Sequence, residues 1–166
     1  MQTTITGKAF VYGANVDTDQ IYPGRFLDLT DPEDVARHAM EGADPLFASQ
    51  CAPGDVVVAA TNFGCGSSRE HAVVTLKAAG VGAVLAESFG RIFFRNAINL
   101  GLPAIVCPGV QEAVARGDVV SVDIAAGTVA NKTTGAVLAA QPLSEYVMNI
   151  LRNGGIKPMI RKSLGL

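Results

Sequence analysis

Between Asp55 and Cys107, short apolar runs alternate with segments of helical period. Residues 56–60, VVVAA, are apolar on both faces and rich in β-branched side chains, which predicts a buried strand. Residues 67–79 carry Ala72, Val73, Leu76 and Ala79 on one stripe and predict a helix that stops at Gly80. A second strand follows at 81–86 (VGAVLA), a second helix at 89–100 ended by Gly101, and a third strand at 103–107 (PAIVC). Strands joined by helices in this order form a parallel sheet with right-handed crossovers.

The flanks have a different rhythm. Residues 8–12, KAFVY, predict a strand, and 15–23, NVDTDQIYP, a polar loop. Asp31 then offers an acceptor at a helix cap, Pro32 suits the first helical position, and Glu33 and Asp34 put acid in the first turn. In the last third, VVSVDI and TVANKTTGAVLAA predict two or three antiparallel strands, with turns at Ala126-Gly127 and Thr134-Gly135. A closing helix over 144–152 is stopped by Gly154-Gly155. The fold class is therefore α/β: a parallel β-α-β-α-β core with an added antiparallel β layer. Residues 1–166 form one domain, with no repeat or linker.

Composition narrows the function classes. The chain has 166 residues, 49% of them hydrophobic and 17% charged, enough to bury a core without staples and too apolar for disorder. A formal net charge of -2 removes the usual footprint of a nucleic-acid binder. No apolar run reaches the roughly 18 residues of a membrane span, and the opening MQTTITGKAF lacks a signal-peptide pattern, so a cytoplasmic protein is expected. Cys51, Cys65 and Cys107 are odd in number and make no C-x-x-C pair. With only His38 and His71 besides, a disulfide framework, a zinc site and a self-contained iron–sulfur site are all disfavoured.

The residues richest in chemistry, Asn62 to His71 (NFGCGSSREH), lie between a predicted strand and a predicted helix. Ligands of parallel α/β sheets bind at the carboxyl ends of strands. The small residues let a ligand approach the backbone, a helix N-terminus favours an anion, and Arg69 adds a guanidinium fork suited to a carboxylate or phosphate. Competing readings exist. Ser67-x-x-Glu70 is a capping-box signature, so Ser67 is equally a helix cap. Gly64-x-Gly66 fails as a dinucleotide fingerprint because Arg69 stands where the third glycine would be. No P-loop or nucleophile elbow is present, and His71 beside Cys65 reads as structural rather than as half of a thiol dyad.

FGCGSSREHA (63–72), with NVDTDQIYPGRFL (15–27), resembles the small subunit of 3-isopropylmalate dehydratase, a family that shares its fold with the swivelling domain of aconitase. The likeness extends through SFGRIFFRNAINLGLP to the closing ILRNGGI, and DPEDVARHAM resembles the short type found also in homoaconitase and 2,3-dimethylmalate dehydratase small subunits. It implies an aconitase-like swivelling β/β/α domain. It also implies a hydro-lyase active only with a large subunit that carries a four-iron four-sulfur cluster, this chain holding no metal or cofactor. The implied substrate is a small 2-hydroxy di- or tricarboxylate, in leucine biosynthesis 2-isopropylmalate and 3-isopropylmalate. By the same resemblance Ser67 matches the general base, Ser68 and Arg69 with Gly66 match substrate-binding positions, and Asp19 matches a supporting catalytic acid. Arg25 lies near a second substrate-binding arginine, and 26–29 (FLDL) falls where substrates are sorted, its apolar pair suiting a branched alkyl group.

The assignment carries a geometric condition. Each helical residue turns the direction by about 100°, so Ser67 and Arg69 inside one helix would point about 200° apart. They converge on one substrate only if Ser67 lies outside the helix, with helical geometry starting at Ser68 or later. A non-catalytic module that uses the loop only to bind an anion is the rival class. Arg91 and Arg95 read as surface or interface charges, Asp17 as a turn residue and Lys77 as solvated.

Overall fold

The computed structural model describes residues 3–166; the first two residues of the opening segment and of the predicted domain lie outside the described residues. Seven strands form one sheet: β1 (Thr4–Val11), β2 (Val56–Ala59), β3 (Ala83–Ala86), β4 (Ala104–Val106), β5 (Val119–Asp123), β6 (Thr128–Asn131) and β7 (Val137–Ala139). Their spatial order is β4-β3-β2-β1-β5-β6-β7. The predicted parallel core is present, with Val56 opposite Ala83 and Val84 opposite Ala104. β2 and β3 are fully buried on both faces, as their unbroken apolar runs require.

The antiparallel strands continue that sheet rather than forming a separate one. β1 is longer than its predicted half, because residues 4–8 pair antiparallel with β5 while 9–11 pair parallel with β2. The sheet then curls. Val120, Val122 and Val129 pack in one apolar cluster with Val56, Val58, Leu85 and Ile105. The chain leaving β7 returns to the far edge, where Gln141 N donates to the Val106 carbonyl at the end of β4 at 2.8 Å.

Among the described residues, eight α-helices surround the sheet: α1 (Thr18–Ile21), α2 (Pro32–Ala36), α3 (Phe47–Gln50), α4 (His71–Ala78), α5 (Arg91–Asn99), α6 (Val110–Ala113), α7 (Glu145–Arg152) and α8 (Ile156–Ser163). On the face away from the β5–β6 cluster, α4 buries Ala72, Val73 and Leu76, and α5 buries Phe93 and Ala97, against Phe10, Val57 and Val84. Asp31 caps α2 as predicted, accepting from Glu33 N at 2.8 Å. Ser144 caps α7 in the same way.

Three expectations are corrected. The polar loop 15–23 contains α1, because Asp17 and Gln20 form a reciprocal capping box, Gln20 N donating to Asp17 and Asp17 N to Gln20. The helix expected from residue 67 begins only at His71. Lys77 is not merely solvated: its ammonium donates to the Leu100 carbonyl at the end of α5, where a cation suits the helix dipole.

Candidate active site

Beyond β2 the chain is laid against the segment that precedes α1. Asn15 N donates to Thr61 O at 2.9 Å, Gly64 N to Val16 O at 2.7 Å and Thr18 N to Cys65 O at 2.8 Å. Asp17 and Cys65 form a parallel bridge. The two polar motifs, far apart in sequence, thus lie side by side. Phe63 is buried and meets the Phe93 ring edge-on at 5.2 Å. Gly64 is left-handed at φ +81°, and a Cβ there would stand 2.2 Å from Phe93 Cγ, so only glycine lets the loop lie this close to α5.

This path keeps Ser67 out of the helix. Its amide donates to Thr18 Oγ1 at 3.1 Å, and α4 is capped by the backbone of Glu70 with no side-chain cap bond. The capping-box reading of Ser67-x-x-Glu70 therefore fails, and the condition for Ser67 and Arg69 to converge is met. Both serines are exposed, Asn96 Nδ2 donates to the Ser68 carbonyl at 3.3 Å, and the amides of Ser68, Arg69 and Glu70 have no acceptor among the described residues.

Arg69 Nη1 lies 3.3 Å from Asp19 Oδ1, which also accepts from Gly24 N at 2.9 Å. The Gly24 amide first, and the Arg69 guanidinium second, hold the Asp19 carboxyl below the usual carboxylate range. Gly66 at φ +100° turns the chain just before Ser67, and its Cβ position would face Thr18 Oγ1 at 3.3 Å. Ser67, Ser68, Arg69, Gly66 and Asp19 are thus brought together at one exposed end of the sheet.

Arg25 stands at the edge of this group. Its guanidinium lies 4.5 Å over the Phe26 ring, whose neighbour is the His38 ring stacked at 3.6 Å, and it reaches Glu41 at 3.5 Å. Its charge bears on Asp19, but it does not touch Arg69 or the serines. The Tyr22 hydroxyl donates to the Phe26 carbonyl at 2.7 Å and fixes the following turn. Arg91, exposed, lines a cleft of about 400 Å³ with Gly64, Cys65, Gly66, Gly90 and Ile92. His71 stacks on Tyr22 at 6.0 Å, which supports its structural reading. Asp17 is the cap of α1 rather than a site residue.

Thr18 and Asn96 were not legible as site residues. Thr18 sits within a recognisable motif, but its role appears only when Ser67, forty-nine positions away, folds onto it. Among the described residues no group of three or more His, Cys, Asp or Glu is placed to hold a metal, and the three cysteines are free. The donor set does not fit a cluster. What the arrangement offers is a guanidinium, a run of free amides and two hydroxyls, a set suited to carboxylate binding and proton transfer.

Residues 35–108 match the family model described as the aconitase C-terminal domain. The chain is 53% identical over 162 residues to the 3-isopropylmalate dehydratase small subunit 1 of Methanopyrus kandleri, covering 98% of this chain and 95% of that one. It is 51% identical over 164 residues to the isopropylmalate/citramalate isomerase small subunit of Methanocaldococcus jannaschii, covering 99% and 98%. A crystal structure of 3-isopropylmalate dehydratase from Methanocaldococcus jannaschii superposes with a TM-score of 0.93 at 40% identity, over 97% of this chain and 95% of that one.

Proposed function

The chain belongs to the family of 3-isopropylmalate dehydratase small subunits, hydro-lyase components with an aconitase-like fold, and we propose that it works with a large subunit to interconvert 2-isopropylmalate and 3-isopropylmalate. The observation that carries this reading is the meeting of Arg69 and Asp19 at 3.3 Å beside a non-helical, exposed Ser67. A four-iron four-sulfur cluster, if held by the large subunit, would supply Lewis acidity toward the leaving hydroxyl. This chain supplies the remainder.

Arg69 grips a substrate carboxylate, exchanging part of its hold on Asp19 for the ligand, and the free amides of residues 68–70 add donors to the same group. Ser67 takes the proton from the carbon next to that carboxylate. A serine oxygen is a weak base unless its alkoxide is held, and the adjacent amides with the Arg69 charge are the groups able to hold it. Ser68 and the Gly66 turn shape the rest of the pocket, and Asp19 orients Arg69. Residues 1–166 act as one swivelling unit over the shared site. No described helix is long and apolar enough to cross a membrane, and the proposed setting is the cytoplasm.

A second reading has a specific observation behind it. Arg25 is exposed, and its contacts, the Phe26 ring and Glu41 at 3.5 Å, leave guanidinium donors for a further carboxylate, as a homoaconitase-type substrate would present. The experiment is anaerobic hydration by this chain mixed with its cluster-bearing partner, each alone, and Ser67→Ala in the mixture. Turnover of isopropylmalate only in the mixture, lost by orders of magnitude in the variant, is expected. Activity surviving Ser67→Ala overturns the base assignment. Turnover of a tricarboxylate instead moves the substrate to the second reading, and no turnover leaves the anion-binding module.

A further inference from the structure

Each residue of the Ser67-Ser68-Arg69 run is held by a side chain from elsewhere in the fold. Thr18 Oγ1 accepts from the Ser67 amide, Asn96 Nδ2 donates to the Ser68 carbonyl, and Asp19 pairs with the Arg69 guanidinium. The first two contacts hold the peptide groups on either flank of the Ser67–Ser68 peptide, one from α1 and one from α5. That peptide has no regular secondary structure of its own and follows left-handed Gly64 and Gly66.

We propose that Thr18 and Asn96 are positioning residues, which fix this peptide so that the Ser67 hydroxyl is aimed at the reacting carbon. Neither touches substrate. Thr18 is suited to the task because it is itself immobile: it is 3% exposed, its amide donates to Cys65 O, and α1 is locked by the Asp17–Gln20 capping box. Its hydroxyl also faces the bare α-carbon of Gly66, so one side chain sets both the turn and the amide that follows it. Asn96 projects from α5, whose Phe93 and Ala97 are anchored in the core. A proton-transfer group must be held within a fraction of an ångström of its productive position, and a shift of about 1 Å costs on the order of 100-fold in rate.

The inference rests on Ser67 being the base, and the test separates the two. In the reconstituted two-subunit enzyme, Thr18→Val keeps the branched shape and deletes the acceptor. Thr18→Ser restores the acceptor. Asn96→Asp, at a half-exposed site where folding is not at risk, removes the donor to the Ser68 carbonyl. We expect Thr18→Val and Asn96→Asp to lower kcat roughly 10- to 100-fold with KM changed much less, and Thr18→Ser to recover to within about threefold of the parent. A fall in melting temperature with kcat unchanged in the folded enzyme overturns the positioning role and leaves Thr18 a packing residue. If Ser67→Ala retains activity, the base assignment fails first; if Ser67→Ala is inactive while Thr18→Val and Asn96→Asp are both fully active, only the positioning inference fails.

Discussion

Asp19 and Arg69, fifty positions apart, meet at 3.3 Å with the Gly24 amide on the same carboxylate oxygen. The folded protein thus holds the Asp19 carboxyl below its ordinary value, so the stabilising effect is present above that ordinary value, about 3.9, and is lost as pH falls through the lower folded one. A carboxyl-detected NMR titration should place the Asp19 midpoint below 3.9; a midpoint at or above it would show the pair to be absent in solution.

Asp19→Asn keeps the acceptor for Gly24 but removes the charge opposite Arg69. With the arginine less well oriented, KM should rise about twofold to fivefold, kcat changing less, as befits an exposed pair. Steady-state kinetics on the reconstituted enzyme measure the split.

Arg25 distinguishes the two substrate readings. Arg25→Ala should leave isopropylmalate turnover within about threefold of the parent if the guanidinium serves only Phe26 and Glu41. A loss confined to a substrate with an extra carboxylate would assign Arg25 to that group. Parallel assays with isopropylmalate, citramalate and homoaconitate read the difference.

Away from the site, Tyr12, Asp44 and Arg116 tie three distant segments together. The Tyr12 hydroxyl donates to Asp44 at 2.8 Å, and Arg116 reaches the same oxygen at 2.9 Å. Asp44→Ala strands the Tyr12 hydroxyl and leaves Arg116 with its longer bond to Gln50, and should cost about 1–3 kcal/mol, against about 1 kcal/mol for Tyr12→Phe, in urea unfolding. Burial first, and the hydrogen bond to Asp44 second, push the Tyr12 phenol up. Its stabilising effect is therefore whole below about pH 10 and declines as pH rises beyond it, which unfolding followed from pH 8 to 11 would detect.

Gly64→Ala sets a left-handed residue and a Cβ overlapping Phe93 against each other. The expected loss is about 2–5 kcal/mol, from the backbone term and the overpacking together. Denaturant melts of the isolated chain measure it.

Two equivalent signatures in this sequence had opposite fates, and they mark the limit of what is legible. Asp17-x-x-Gln20 and Ser67-x-x-Glu70 both spell a capping box. The first caps α1; the second does not cap α4, because Thr18 has already taken the Ser67 amide and two left-handed glycines carry the chain past a helical path. Local pattern found β2, β3 and β4 because Val56, Val84 and Ala104 are apolar and buried whichever neighbour they meet. It could not find the first half of β1, whose alternating exposure makes sense only beside β5, more than a hundred residues on. The motif residues themselves were readable, whereas the side chains that hold them, Thr18 and Asn96, depend on tertiary contact.

The central place of β1 governs how the protein can be made. The ribosome delivers this strand before either of its neighbours, since the parallel one starts at Val56 and the antiparallel one at Val119. Until Val56 emerges the strand has no partner, and until Val119 emerges its antiparallel edge stays open, a template for misassociation with other nascent chains. Both edges of β1 are covered only after residue 123 has emerged, so folding is late and nonlocal in contact order, and slow for a chain of this size. Truncations ending before β5 should therefore aggregate rather than yield a smaller folded core, even though the whole parallel half would already be present.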